Sequence, residues 1–407
     1  MLTLTPVPTN LISSPSPSAA IRQSLYVAHE MARRPRRSGD GSAWMSRAAG
    51  LFAAAVGAAA CASNAGPRTI PAARFDYNER LSRSTNDQIL LNLVRLRYRD
   101  TPYFLEVGSV LVQYQITGRV AVTGSTAPSA SPSATAGVEL DREVDERPTI
   151  TYEPLTGEAF ARRFLTPISA GTLALLAGSG WSIERVFDCC VDAVNDLVNV
   201  PAAAGPTPTT VTVDPRFHEM AGLFRTLQKT GRLDIIRYID GDSVSALRVL
   251  SVPGDTSTVA STASARLREL LGVTGEQDVF VLGPSSGRSN AQIRVRQRSL
   301  LGSMFFLSQA VDVPDADVKN GLVTRALMTD GTPVDWDKVI GGLFRVRVAD
   351  TRPDRAFVSV HYRGHWFYID DADLDSKTTF DLLSHLVSLQ SVAPRGNSPV
   401  VTVPLGP

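Results

Sequence analysis

The sequence predicts an α+β fold, with antiparallel sheets built from β-hairpins, helices packed on one face and a helix-rich N-terminal half. Three observations carry this expectation. Strand–strand–helix order recurs three times beyond residue 213. Turn pairs, Asp240-Gly241 and Arg363-Gly364, stand between apolar runs of strand character. Helix-spaced apolar residues crowd 157–199 without the alternating β–α order of a doubly wound sheet.

The pattern of a folded domain begins near Phe75. Thr85-Asn86-Asp87-Gln88 reads as a capping box, opening a helix through Ile89, Leu90, Leu93, Val94 and Leu96. Arg95, Arg97 and Arg99 favour the negative end of its dipole, and Pro102 follows the stop. Residues 103–116 are β-branched and partly alternating, so a strand is expected. Segment 122–137 (VTGSTAPSASPSATAG) is low in complexity and predicts a flexible surface loop between two strands. Extended structure returns over 138–152, and helices are expected at 157–165, 169–178 and 182–199. In the last of these, Ile183, Val186, Phe187, Cys190, Val191, Val194 and Leu197 share one helical face.

Residues 201–213 (PAAAGPTPTTVTV) read as a linker between a domain at 77–200 and a second at 214–407. A helix at 214–230 leads to Gly231, a C-terminal stop. The three strand–strand–helix units follow. The first has strands at 233–239 and 244–251 and a helix at 265–271 stopped by Gly272. The second has strands at 278–282 and 292–298, read as a hairpin, and a helix at 300–311. The third has strands at 343–349, 356–361 and 365–370 and a helix at 373–389.

The first sixty residues read differently. They hold six arginines and two acids, and end in the run AAGLFAAAVGAAA (48–60) before Cys61. Thirteen helical residues span about 20 Å, short of a bilayer core of about 30 Å. Such a run behind a basic segment suits a signal peptide. Residues 1–30 lack that character, so translation is expected to start at Met31 or Met45. Residues 61–76 then form a tether, with Gly66, Pro67 and Pro71 opposing regular structure. Loss of six arginines and two acids turns the net charge of +1 into −3. Neither value gives an electrostatic reason to expect nucleic acid.

Few motifs carry chemistry. Gly283-Pro284-Ser285-Ser286-Gly287 matches G-x-S-x-G, yet it leads from strand to strand and reads as a turn. Asp371, Asp373 and Asp375 resemble the opening of a calcium loop, but its sixth and twelfth places hold Ser376 and Leu382. The acids suit a helix N-terminus instead. His361 and His365 have zinc-like spacing but fall on a hairpin, not a helix. His365, Trp366 and Tyr368 belong to the most aromatic stretch, read as a strand with one core face, or as an aromatic ledge. Arg294 and Arg296 alternate with Arg298 on a strand whose outer face is expected to be solvated. Cys190 reads as a core residue and Cys189 as a free thiol. No cofactor and no metal is expected.

The small residues Ala58, Ala59 and Ala60 before Cys61 resemble the lipobox of bacterial lipoproteins, with Ala58 where Leu is usual. The resemblance implies acylation of Cys61, and Ala62 after it implies transfer to the periplasmic face of the outer membrane. Segments 84–107, 146–168 and 364–390 resemble a family of proteobacterial hypothetical lipoproteins with no assigned activity. That resemblance implies export and lipidation, and no functional residue beyond Cys61. Three functions are compatible with these features. An assembly module binding an envelope protein should present a large apolar or aromatic patch. A solute- or glycan-binding lipoprotein should have an aromatic groove at Trp366 or Trp181. An envelope hydrolase should gather two or more of His218, His361, His365 and His385 with acids in a cleft.

Overall fold

A computed structural model of the chain describes residues 65–127, 133–200, 210–238, 244–249, 258–273, 279–283, 292–340 and 342–390. They fall into two compact units. The smaller comprises Met1–Asn78 with Glu106–Glu153, and the larger comprises Glu79–Leu105 with Pro154–Pro407. Segment 201–213, expected to separate two domains, has the larger unit on both of its sides. The class is α+β, as expected.

Helix α1 spans Ala65–Arg97. The expected tether is thus helical from Ala65 onward. Pro67 sits in the first turn, where a missing N–H costs no intrahelical bond. The capping box is also corrected, because Thr85 lies inside the helix and its hydroxyl donates back to Leu81 O at 3.0 Å. Gln88 does different work. Its Nε2 donates to Leu105 O at 3.1 Å, and its Oε1 accepts from Leu105 N at 2.7 Å. One turn on, Asn92 repeats this with Tyr103, at 2.8 Å and 2.9 Å. Two amides at i and i+4 therefore stand in for a neighbouring strand along the extended segment 103–105.

Strands β1 (Leu105–Ala127) and β2 (Ser133–Pro154) form a two-stranded sheet. The expected loop at 122–137 is narrower than predicted, since strand structure reaches Ala127 and resumes at Ser133. Low complexity misled here because Val122, Thr123, Thr126 and Thr135 are β-branched, and backbone pairing needs no apolar side chain. Residues 128–132 lie outside the described residues.

In the larger unit, α2 (Gly157–Phe160) runs into a π-turn at Ala161–Leu165. Helix α3 (Ala170–Gly178) is capped by Ser169, whose Oγ accepts from Thr172 N at 3.0 Å. Helix α4 covers only Ile183–Cys190, and the chain then turns into β3 (Val191–Val194) and β4 (Leu197–Val198). The helix expected over 182–199 thus stops halfway. Beyond β5 (Thr210–Val211), α5 (Pro215–Lys229) ends at Gly231 with φ +67°, as the sequence predicted.

Strands β6 (Leu233–Tyr238) and β7 (Val244–Val249) pair antiparallel, as expected. Helix α6 (Thr258–Leu271) stops at Gly272. Strands β8 (Val279–Gly283) and β9 (Gln292–Gln297) follow. They pair in parallel, which corrects the second expected hairpin. Eight residues between them reach about 28 Å, enough to return along a strand of about 17 Å. The resulting six-stranded sheet has the order β4-β3-β9-β8-β7-β6. Helix α3 packs on β6 and β7, and α4, α5 and α6 pack in succession.

Helix α7 (Leu300–Ser308) is followed by α8 (Asp315–Lys319), β10 (Leu327–Met328), which pairs in parallel with β5, and α9 (Trp336–Val339). Strands β11 (Arg347–Ala349), β12 (Ala356–Tyr362) and β13 (His365–Asp370) form the third antiparallel set, in the order β11-β13-β12. Arg363 and Gly364 make its turn with φ +50° and +88°. Helix α10 (Leu374–Leu389) is capped by Asp373, whose two oxygens accept from Ser376 N at 3.0 Å and Ser376 Oγ at 2.7 Å. One hydrophobic cluster unites the larger unit, with Phe217, Phe224, Phe306, Phe367 and Phe380 all fully buried.

Candidate functional site

The aromatic stretch on β13 divides by strand alternation. Phe367 and Ile369 face the core, beside Val360 and Val358 of β12. Trp366 and Tyr368 take the other face, opposite His361 and Ser359 of β12 and Ala349 and Arg347 of β11. The His361 ring lies 5.2 Å from the Trp366 ring, and the Arg352 guanidinium 5.4 Å from it. This is an aromatic ledge in which Trp366 and Tyr368 are half-buried and His361 and Arg352 are exposed, with the guanidinium as its cation. His365 belongs to the opposite alternation, and its Nδ1 lies 3.0 Å from Asp350 Oδ1.

The other sequence candidates lie elsewhere. Trp181 packs edge-on against His385 of α10 at 5.5 Å. Arg294 and Arg296 are exposed on β9, and ion pairs link Arg294 to Asp196 and Arg296 to Asp192. Cys61 and residues 284–287 of the G-x-S-x-G match lie outside the described residues. The structure thus brings Trp366 and Tyr368 together on one face with His361, but joins neither Trp181 nor the two arginines to them.

Arg298 departs most from expectation. It stands just past β9 and its side chain is fully buried. Its Nε donates to Asp192 Oδ1 at 2.8 Å. Its Nη1 donates to the carbonyls of Asp188 and Cys189 at 2.9 and 3.1 Å, and its Nη2 to that of Asn199 at 2.8 Å. The Phe306 ring packs 4.0 Å from the guanidinium. Burial pushes its pKa down, and Asp192 opposes that shift. Asp188 and Cys189 belong to the last turn of α4, whose carbonyls have no partner within the helix. Arg298 therefore caps α4 from a distant strand, and its charge suits the negative end of the helix dipole. Asn199 Nδ2 completes the cap by donating to the carbonyls of Asp188 and Val191 at 3.0 and 2.9 Å. This explains why α4 stops at Cys190. The chain can then enter the sheet, where Val191 pairs with Gln297.

Both cysteines at this junction are free and fully buried, so Cys189 is as enclosed as Cys190. Its hydrogen bond with Cys189 and its burial push the Cys190 thiol well above the usual range.

On the outer side of α4, His218 Nδ1 lies 3.0 Å from Asp188 Oδ1. The Asp188 hydrogen bond raises the His218 pKa, burial opposes it, and Asp188 and Glu184 charges add to the rise while Arg298 subtracts. The imidazolium is thus favoured in the folded state. Stability from this pair is present in full below the unfolded value near 6.5 and is lost as pH rises through the higher folded value. We expect His218→Gln to flatten the stability profile in that window, measured by urea unfolding between pH 5 and about 8. An unchanged slope would show that His218 is not the group responsible.

The four histidines named above occupy separate places. His218 pairs with Asp188, His365 with Asp350, His385 with Asp381 and His361 with the Trp366 ring. Among the described residues no group of three or more His, Cys, Asp or Glu side chains is placed to hold a metal ion. Among those residues, no helix is long and apolar enough to cross a membrane. No family model, no curated protein and no solved structure matches this chain.

Proposed function

We propose that the chain is a lipid-anchored protein of the bacterial cell envelope that acts as a structural or assembly module. The anchor is Cys61, behind the basic segment and the apolar run at 48–60, and the site of action is the periplasmic face of the outer membrane. Its partner is another envelope protein. The observation that supports assembly best is the two-stranded sheet of β1 and β2, 23 and 22 residues long, nearly all of it in the smaller compact unit. A two-stranded sheet is marginal by itself in water and gains stability from a further strand.

A second reading is favoured by one feature, the Trp366 ledge with Arg352 and His361 beside it. An indole face with an arginine over it and an imidazole ring beside it suits an acidic glycan. On that reading Trp366→Ala abolishes retention on immobilised envelope polysaccharide without changing the fold.

The anchor has its own test. Cys61→Ala is expected to abolish acyl labelling and to move the protein from the membrane to the soluble periplasmic fraction, because stable anchoring needs more than one acyl chain. A variant that stays labelled and membrane-bound overturns the assignment of Cys61.

A further inference from the structure

Cys189 and Cys190 are the last two residues of α4, and both are fully enclosed. Their thiols hydrogen-bond to each other. Arg298 holds three consecutive carbonyls at this point. Its Nη1 donates to those of Asp188 and Cys189 at 2.9 and 3.1 Å, and its backbone N–H donates to that of Cys190 at 2.8 Å. Two neighbouring thiols are thus kept in a helix by the residue that also closes the helix.

Three features give this pair a chemistry of its own. The first is the difference between the two thiols. The hydrogen bond from Cys190 lowers the Cys189 pKa, burial opposes that, and the Arg298 charge lowers it further. Cys190 is shifted the other way. Cys189 is therefore the nucleophile of the pair, and Cys190 keeps its proton longer. The second is geometry. Consecutive Cα atoms stand about 3.8 Å apart, below the roughly 4.4–6.8 Å usual across a disulfide. A bond between the two sulfurs closes a small ring across one peptide unit, and successive side chains of a helix diverge by about 100°. That bond forms only where the last turn of α4 has left helical geometry. The third is strain. Val200 is buried and has φ +33°, a region that β-branched residues avoid. It directly follows Asn199, whose carbonyl accepts from Arg298 Nη2 at 2.8 Å and whose Nδ2 donates to the carbonyls of Asp188 and Val191. The cap therefore holds a backbone conformation that relaxes when the cap lets go.

We propose that Cys189 and Cys190 are a redox latch on the junction of α4 and β3, oxidised to a disulfide by thiol–disulfide exchange when the Arg298 cap opens. While the cap is closed, burial keeps the oxidant away. Once formed, the ring holds the last turn of α4 out of the helix, and the carbonyls of Asp188 and Cys189 no longer meet Nη1. A transient opening becomes a lasting state until a reductant reverses it. The oxidant is a small-molecule disulfide. The Cys189 thiolate attacks one of its sulfurs, breaking its S–S bond and expelling one thiolate. Cys190 then gives up its proton, and its sulfur attacks Cys189 Sγ, expelling the second thiolate. The chain loses two electrons and two protons, and the oxidant takes both and becomes two thiols. The export proposed above is what brings the chain into an oxidising compartment. The chemistry itself does not rest on that reading.

The test uses the full-length chain with Cys61→Ala, in which Cys189 and Cys190 are the only thiols and the anchor plays no part. It is incubated with glutathione disulfide at neutral pH without urea. The expected product is a disulfide joining Cys189 to Cys190, located by peptide mapping. Amide hydrogen exchange should quicken between Phe187 and Val200, and dithiothreitol should restore it. Asn199→Ala removes part of the cap and leaves Arg298 in place, so it should speed oxidation about tenfold. The wild-type product decides the proposal by itself should Asn199→Ala fail to fold. Thiols that react only when urea unfolds the larger unit overturn the proposal. So does a stable glutathione adduct in place of the disulfide, a disulfide that leaves hydrogen exchange at the junction unchanged, or an unchanged rate in a folded Asn199→Ala.

Discussion

Arg298→Met should destabilise the larger unit by about 3–5 kcal/mol, the loss seen when one partner of a buried ionic network is removed. The substitution fills much of the same volume beside Phe306, so the effect isolates the hydrogen bonds. Met leaves the carbonyls of Asp188, Cys189 and Asn199 without the guanidinium and Asp192 without its buried cation. Asn199 supports only one of those three carbonyls, that of Asp188. The end of α4 and the start of β3 lose their common anchor, and both central helices and sheet register depend on that junction. Arg296→Met, two residues earlier on the same strand, is the control. Its side chain is 61% exposed, and its effect should stay within about 0.5 kcal/mol. Urea unfolding followed by tryptophan fluorescence reads both. Equal midpoints for the two variants would show that the buried cap contributes nothing.

The second large effect is expected at Phe367. Phe367→Ala should cost about 3–5 kcal/mol through the lost apolar burial and the cavity left behind. Phe367 is fully buried on the central strand of the three-stranded sheet, between Val348 and Val360. Its ring meets that of Tyr98 edge-on at 6.1 Å. Tyr98 in turn stands at the end of α1, and its hydroxyl donates to Asp317 at 2.6 Å. Nearby, Tyr362 and Arg363 both donate to Asp100, at 2.6 and 2.9 Å. The ring therefore joins α1, the last sheet and α8. Trp366→Ala, the adjacent residue, removes only the ledge contacts with His361 and Arg352 and should cost about 1 kcal/mol or less. Thermal unfolding of the pair distinguishes the core face from the ledge face. A larger loss at Trp366 than at Phe367 would reverse the assignment of faces.

Local signals made much of this fold legible. Gly231, Gly272 and the pair Arg363-Gly364 stop or turn the chain where the sequence predicted, because a positive φ favours glycine and such turns recur. Asp373 caps α10 as the acids there implied. Two of the misreadings share one physical origin, a distant residue overruling a local pattern. Apolar spacing over 182–199 fits a helix, but Arg298, over a hundred residues later, supplies the cap that ends α4 at Cys190. The same residue looked like the third of a solvated row, and alternation alone cannot reveal that one arginine of three is enclosed. Thr85 and Gln88 have capping-box spacing, but α1 begins twenty residues earlier and Gln88 is engaged by Leu105. The parallel pairing of β8 with β9 depends on what the intervening segment permits, not on turn residues.

The candidate sites were legible to a lesser degree. Trp366 and Tyr368 do share an outer face, which strand alternation predicts. Trp181 and the exposed arginines belong to other places on the larger unit. The length of the β1–β2 ribbon was hidden by the low-complexity stretch at its tip, where small and polar residues look like a loop.

The most direct test of the assembly account is a photoreactive residue introduced in intact cells at Thr117 in the ribbon and, separately, at Ser359 on the outer face of the three-stranded sheet. The account predicts a protein adduct at Thr117, stoichiometric and recovered with the outer membrane, while Ser359 gives none. An adduct confined to Ser359, with Thr117 unreactive, would contradict it.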